Sequence, residues 1–341
     1  MTDRISRRQF AATSAAITAA LLPSGSFVQG NGTSSPDASP DAGETWSFTD
    51  DRGVTVTLPK APTRIVADLS AAAPLWDFGI RPMAVSGWTV GTDAAWGNVD
   101  RSTLDITATS GQPDPDLETL IAMEAELFVS ITWAPDDPED VWSFSDAESY
   151  RRSNEVVPVV CISATGLASI NAERFAELAA LLGADLQAPE IVEAKGSYDA
   201  AIGEFSALVA EKADIVSLFA GVLEGEALWY LANPADWADL AWYQSLGMTI
   251  VEPDGANPGD YWEELRYEQA GLHAADVFFS SSRAESPTLD ELSALPTFAA
   301  HPAIAAGQIG SWNQDFIMSY QGLTAALTSM IPVLSNAGKV I

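Results

Sequence analysis

Eleven tryptophans set against two histidines and one cysteine define the chemistry open to this chain. His273, His301 and Cys161 are too few to build a transition-metal centre from several His or Cys ligands. Cys161 has no partner for a disulfide and falls in the apolar run VVPVVCIS, where a buried, unreactive thiol is expected. No G-x-S-x-G, H-E-x-x-H, G-x-x-x-x-G-K-S/T or G-x-G-x-x-G pattern occurs, so the common nucleophile, metalloprotease and phosphate-cradling arrangements are not spelled out. Neighbouring acids, Asp136 with Asp137 and Glu263 with Glu264, are the basis for an alternative as an exported glycan-acting enzyme. In so acidic a chain such neighbours are ordinarily solvated surface. What remains is flat aromatic surface, which suits a bulky, already chelated ligand because each indole offers about 150–250 Å² of contact while losing little freedom. Any metal is expected to arrive inside its chelator, and no cofactor is expected.

Such rings act only where the fold places them at a ligand. Short apolar runs at 64–68, 83–87, 126–131 and 156–162 alternate with helical patterns such as APLWDFG, LETLIAM and RFAELAALLG. The same grammar resumes with strands at 215–221, 227–232, 248–253, 276–281 and 308–312, and with DLAWYQSLG, YEQAGLH, TLDELSAL and LTAALTSMIPVL as helices. Alternation of this kind predicts an α/β fold with mainly parallel sheets covered by helices. Ligands in open sheets bind beyond the carboxyl ends of the strands. The residues found there are Trp88 and Trp133 in the first half and Ser281, Arg283 and Trp312 in the second, with Tyr230 and Trp262 in adjoining segments. Each ring has core packing as its bland reading, and Arg283 has an ion pair with Glu285 or Asp290.

Between the halves lies PEIVEAKGSYDAAIGEFSALVAEKA, in which Ile191, Tyr198, Ile202, Phe205 and Val209 recur at helical spacing. Pro189 suits the first turn, and some 24 residues make a rod of about 36 Å, enough to bridge two bodies. Gly196 and Gly203 each cost such a rod about 1 kcal/mol relative to Ala. The halves also resemble each other. DLETLIAMEAELFVS (116–130) aligns without gaps on RYEQAGLHAADVFFS (266–280), placing Glu118 on Glu268, and WDFGIRPMAV echoes YQSLGMTIVE.

The formal net charge of −31 repels phosphate backbones, which argues against nucleic acid as a partner. At the N-terminus, Arg7 and Arg8 precede the mildly apolar AATSAAITAALLP, which is too short for a permanent membrane span. This resembles a twin-arginine export signal read by the Tat machinery, and no cysteine follows it for lipid attachment. A composition rich in Gly, Ser, Pro and Asp then marks a tether. Trp46–Phe48 and Val54–Leu58, alternating around DDRG, carry a hairpin signal. The expected organisation is a signal at 1–30, a linker at 31–44, a lobe at 45–187, the bridging helix at 188–213 and a second lobe at 214–341.

From Trp46 to the C-terminus, FTDDRGVTVTLPKAPTRIV, FGIRPMAVSG, GQPDPDLETLIAMEAELFVS, FAELAALLG, YWEELRYEQAGLHAADVFF and LPTFAAHPAIAAGQI follow in order a known pattern. They resemble the substrate-binding proteins of ABC importers for iron-siderophores, haem and cobalamin. The resemblance implies two Rossmann-like lobes joined by a single long interdomain α-helix, a chelate held between them, and no enzymatic activity. It implies a monomer that hands its ligand to an ABC permease dimer, with Glu118 and Glu268 pairing with permease arginines. A glutamate in a first helical turn is also simply favoured there, by about 0.3–1 kcal/mol. Scarcity of basic residues near the loops favours a ferric hydroxamate over a tri-anionic catecholate; haem, with His273, His301 or a tyrosine as axial ligand, and cobalamin are the alternatives. His273 falls near the end of a helical pattern, at its surface or the edge of the core. Two departures stand out: LSAAAPLW where the family has a more polar loop after its first strand, and the absent lipid-bearing cysteine.

Overall fold

The computed structural model describes residues 45–108, 114–223, 227–254, 257, 259–283 and 286–341. The expected signal and linker, with Arg7 and Arg8, lie outside the described residues, as does Glu285. The described chain opens with a hairpin of β1 (Trp46–Thr49) and β2 (Thr55–Leu58), paired antiparallel with Trp46 opposite Leu58. Alternation buries Trp46, Phe48 and Val56 and leaves the threonines in solvent.

The first lobe is a sheet of β3 (Ile65–Asp68), β4 (Ala84–Ser86), β5 (Asp105–Ile106), β6 (Leu127–Thr132) and β7 (Val159–Ser163), all parallel, in the order β5-β4-β3-β6-β7. Strands β3, β6 and β7 are buried along their whole length because helices cover both faces. Those helices are α1 (Leu69–Asp77), α2 (Leu117–Ala122), α3 (Ala147–Val156) and α4 (Ala168–Leu181). LSAAAPLW is the body of α1 rather than a loop, started by Asp68, whose carboxylate accepts from Ser70 N at 2.8 Å. Helix α3 gives no apolar signal in sequence, since AESYRRSNEV buries only Ser149, Tyr150 and Ser153.

The hairpin is fastened to β7 by a buried ion pair. Arg52 Nη2 lies 2.7 Å from Asp50 Oδ2, both side chains fully out of solvent. Arg52 also donates to Pro138 O at 2.8 Å and Val159 O at 3.1 Å, while Asp50 accepts from Cys161 N at 3.0 Å.

Helix α5 (Pro189–Glu211), 23 residues and about 34 Å long, follows. It buries Ile191, Ala194, Tyr198, Ala201, Phe205 and Val209, one stripe at steps of three and four, with Pro189 at its start. The second sheet contains β8 (Val216–Leu223), β9 (Leu228–Ala232), β10 (Thr249–Ile250), β11 (Trp262–Arg266), β12 (Val277–Ser281) and β13 (Ile309–Trp312), in the order β11-β9-β8-β12-β13, with β10 on β8. Helices α6 (Ala238–Ser245), α7 (Leu289–Ala294), α8 (Pro296–Ala299) and α9 (Pro302–Ala305) lie between its strands in sequence. Strands β8, β10, β12 and β13 are parallel, but β9 runs antiparallel to both β8 and β11. The architecture is therefore the expected α/β pair of mainly parallel sheets with one long helix between them. One local reading is corrected: YEQAGLH holds a single 3₁₀ turn, Tyr267–Gln269, rather than a helix. The chain before it forms strand β11, which the sequence did not signal.

Helix α10 (Tyr320–Asn336) packs along α5 with Leu323, Leu327, Met330 and Leu334 buried. Before it, Phe316, Ile317 and Met318 return to the first lobe's core. Ser319, which caps α10, donates to Asp77 of α1, and Asn98 donates to the same carboxylate at 2.9 Å.

Substituting Arg52→Ala leaves a buried, unpaired carboxylate and is expected to destabilise the protein by about 3–5 kcal/mol in urea unfolding. A loss below about 1 kcal/mol would show that the hairpin is not anchored this way. Gly196 and Gly203 have open space where a Cβ would stand. Gly196→Ala and Gly203→Ala should therefore each stabilise by roughly 0.5–1 kcal/mol, read as a higher urea midpoint.

Candidate functional site

Past the carboxyl end of β6 the chain turns at Trp133 and folds back, so that Trp142 N donates to Ile131 O at 3.0 Å. Asp140 holds this turn: its Oδ2 accepts from Thr132 Oγ1, Trp133 N and Ala134 N, each at 3.2 Å. Trp88, just past β4, donates its indole N–H to Trp142 O at 2.8 Å. Ring centroids stand 6.2 Å apart for Trp88 and Trp142 and 6.0 Å for Trp142 and Trp133. Three half-buried indoles thus make one wall on the first lobe.

On the second lobe Trp237 occupies the middle of a matching cluster. Its ring lies 4.9 Å from Trp262, 5.4 Å from Trp312 and 6.0 Å from Tyr261. Trp262 in turn meets Tyr230 at 6.3 Å. The two clusters join across the lobes, Trp133 lying 5.7 Å from Trp237 and 5.6 Å from Tyr261, both edge to face. Tyr261 Oη also donates to Trp133 O at 3.2 Å. The result is a continuous aromatic seam between the two sheets.

Tyr261 is held under strain. Its φ of 28° is disfavoured for a residue with a side chain, and such conformations cost about 1–3 kcal/mol. Two bonds to its carbonyl, from Trp237 Nε1 at 3.0 Å and Asn233 N at 2.8 Å, fix it there. Burial, reinforced by the charges of Asp236 and Asp140, pushes the phenol's pKa up, so it stays a neutral donor. Those two carboxylates come from opposite lobes.

Beneath the seam Asp239, at the start of α6, is wholly buried. Its Oδ2 accepts from Trp312 Nε1 at 2.7 Å and its Oδ1 has no partner. Burial raises its pKa to about 7, against the opposing effect of the Trp312 bond. In the first lobe Asp68, the last residue of β3, is likewise raised to about 6 by burial, while bonds from Ser70 and Ser143 pull the other way. Trp133 Nε1 is buried without a partner, a donor left over in the seam itself.

The seam unites all five aromatic residues expected from the sequence, Trp88, Trp133, Tyr230, Trp262 and Trp312. Trp312 is buried and its indole N–H is spent on Asp239, so it supports the wall from behind. Ser281 is buried beside it in register, its Oγ accepting from Arg283 N at 3.2 Å. Arg283 pairs with Asp315, at 2.9 Å from Nε and 2.6 Å from Nη2, rather than with Asp290. With its amide oxygen turned inward, Gln314 accepts from the same guanidinium at 2.7 and 2.9 Å. Glu118 and Glu268 stand apart from the seam, both exposed.

Trp142, Trp237 and Tyr261 were not expected. Trp142 lies ten residues past β6 in sequence, and only the fold-back brings it to the strand end. Trp237 sits in NPADWADL and Tyr261 in GDYWEE, where an aromatic inside a turn-rich stretch was the available signal. His273, expected at a helix surface or the edge of the core, is buried against Trp229 with Nε2 2.8 Å from Glu263. His301 caps α9, its Nδ1 accepting from Ala303 N and its Nε2 meeting His273 O at 3.0 Å. Among the described residues no group of three or more His, Cys, Asp or Glu is placed to hold a metal, and no helix is long and apolar enough to cross a membrane. A shallow groove of about 490 Å³ between α5 and α10, lined by Glu190, Glu193 and Gln321 among others, shares no residue with the seam.

No family model matches the chain, and no curated protein does. Solved structures do. DesE, a ferric-siderophore receptor protein from Streptomyces coelicolor, is 28% identical over 87% of this chain and 100% of its own, with a TM-score of 0.77. The petrobactin-binding protein YclQ from Bacillus subtilis (11% identity, 86% and 100% covered, TM-score 0.64) and the periplasmic catecholate-siderophore binding protein VctP from Vibrio cholerae (17%, 86% and 99%, 0.59) share the fold. The chain thus has the two-lobed fold of periplasmic substrate-binding proteins, the fold that the resemblance carried by its sequence implies. Its similarity to DesE extends from the fold into the sequence itself.

An aspartate ionises near 3.8 when unfolded, whereas Asp239 keeps its proton to about 7, so folding takes up a proton between those values and stability falls as pH rises through them. Asp239→Asn keeps an acceptor for Trp312 and removes the penalty. Its melting temperature should exceed that of the parent by a margin that widens from pH 4 to pH 8. A margin independent of pH would overturn the assignment.

Proposed function

We propose that the chain is an exported, monomeric binding protein that captures a ferric siderophore between its lobes, a hydroxamate in preference to a catecholate, and delivers it to an ABC permease dimer. The observation that carries this reading is the seam, which brings rings from both lobes together where the lobes meet and offers little free positive charge. Ring faces suit the apolar periphery of a chelate, and the spare indole N–H of Trp133 suits a chelator oxygen. Arg283, already committed to Asp315 and Gln314, has limited capacity for a tri-anion. The likeness to DesE, described as a ferric-siderophore receptor, supports the ligand class.

On this reading the ligand-facing residues are Trp88, Trp133, Tyr230, Trp262 and Arg283, with Trp142 added, and the buried Trp237, Tyr261, Ser281 and Trp312 supporting them from beneath. The protein needs no cofactor and performs no catalysis; iron enters only within the chelate. Arg7 and Arg8 direct export through the Tat machinery, and no cysteine-linked lipid follows, so the mature chain acts in the periplasm or at the outer face of the cytoplasmic membrane. Glu118 and Glu268 face the permease. Haem is less favoured, because both imidazoles are engaged inside the second lobe.

Tryptophan fluorescence titrated with a ferric trishydroxamate should show saturable quenching, with ferric catecholates, haem and cobalamin at least about tenfold weaker. Trp133→Ala should weaken the hydroxamate by roughly 10- to 100-fold, the loss expected for a buried aromatic anchor. Saturable binding of haem or cobalamin alone, or turnover of a glycan, would refute the reading.

A further inference from the structure

Ile121 and Leu272, 59% and 56% exposed, are the two most exposed large hydrophobic side chains among the described residues. They fall on different lobes, yet in the same repeated unit. Glu118 and Glu268 are 150 positions apart, and so are Leu127 and Val277, which open β6 and β12. Within that frame Ile121 and Leu272 differ by a single position, Leu272 aligning with Ala122. Each follows its glutamate closely, Ile121 at three residues along α2 and Leu272 at four past the 3₁₀ turn. On helix α2 that spacing puts Glu118 and Ile121 on one face; Leu272 follows Glu268 through a bend, its N–H donating to Gln269 O at 2.9 Å. Local structure differs between the lobes, a helix in one and a turn in the other, but both present an exposed carboxylate followed by an exposed aliphatic.

Neither glutamate has an ion-pair partner among the described residues. A lone exposed leucine needs no explanation, but the same pairing on both lobes of a duplicated chain does. Two matched patches suit a partner that itself presents one surface twice, which is the property of a twofold-symmetric dimer. The charge of the patches, on a chain of net charge −31, selects a basic face on that partner.

We propose that Ile121 and Leu272 are the apolar anchors of two docking patches, each seating in a hydrophobic socket beside a basic residue on one half of the permease dimer. The inference rests on the delivery role proposed above for Glu118 and Glu268. Chemically the two parts divide the work. The carboxylates steer and orient the encounter, and the aliphatics exclude water from the contact so that the ion pair forms in a less polar setting.

The experiment uses cells lacking this chain and complemented with variants, scored for uptake of an iron-labelled trishydroxamate and, on purified protein, for quenching by the same chelate. Ile121→Ser with Leu272→Ser should raise the half-saturating concentration for uptake by about 10- to 100-fold, the range for losing two apolar anchors, while leaving quenching unchanged. Val192→Ser with Ile170→Ser, equally exposed aliphatics outside the repeat, should change neither. If the serine pair takes up iron normally while Glu118→Arg with Glu268→Arg abolishes uptake, docking through the glutamates stands and the anchors are refuted. If neither pair affects uptake, both the anchors and the delivery role of these patches fall. Equal impairment by the Val192 and Ile170 control would also refute the anchors, since position in the repeat would then be irrelevant.

Discussion

The contact of Trp133 with Trp237 and Tyr261 is the interaction on which the site depends. It is where one lobe ends and the other begins, and it is made of ring edges against ring faces rather than charges in fixed pairs. Dispersion between such surfaces is large in sum and weakly dependent on angle. Two lobes meeting this way can shift slightly and keep most of their contact, and a ligand taken up at the seam, as proposed, would exchange ring-to-ring contact for ring-to-ligand contact. A seam of salt bridges would have to break before it could open. A bond across it, from Tyr261 Oη to Trp133 O, ties the phenol to backbone without a charge to desolvate.

What limits the motion lies behind the seam. Helix α5 passes from one lobe to the other and α10 packs along it, so the spine is two helices rather than one. The segment 316–318 returns to the first lobe, and Ser319 fastens the start of α10 to Asp77 of α1. Gly322 belongs to this junction, since a Cβ there would stand 2.1 Å from Ile317 O. A hinge built on paired helices with a capped, packed return permits rocking over small angles and resists wide opening. Burial of Asp77 raises its pKa, the bonds from Ser319 and Asn98 opposing that rise, so the fastening carries a cost of its own that surrounding packing must offset.

The sequence disclosed the frame well because frames are periodic. The stripe from Ile191 to Val209 and the apolar runs of β3, β6 and β7 repeat a physical spacing that can be read without coordinates. Elements held by other means were silent. Helix α3 has a polar sequence and is set by Asp146 as its cap and by Tyr150 against Phe144, neither of which has a period. Strand β11 reads WEELR, three of its five residues charged, because it is the edge of the sheet with one side of its ladder unpaired. The site divides along the same line. Trp88, Trp133 and Trp312, at or within two residues of a strand's carboxyl end, were legible from the rule that sites gather there. Trp142, Trp237 and Tyr261 reach the seam through a fold-back, a helix cap and a strained turn, and no spacing in the chain encodes those.

The electrostatics of the seam follow from where its carboxylates are spent. Asp140 is consumed by three donors of the Trp133 turn, and Asp236 by Asn233 Nδ2 and Gly259 N, so each stabilises backbone that carries a ring. Their charges are nevertheless near enough to raise the Tyr261 phenol's pKa alongside burial. Arg283 adds no compensating free charge, because Asp315 takes it up in a bidentate pair. A tri-anionic chelate would therefore meet like charge on both lobes and would have to draw the guanidinium away from its partner, losing two charge-assisted hydrogen bonds to gain others. A neutral chelate meets neither cost, and one with a pendant cation gains from both aspartates. The hydroxamate preference proposed above would thus rest on the same loop hydrogen bonds that set the rings in place, so ring geometry and ligand charge could not be altered independently at Asp140 or Asp236.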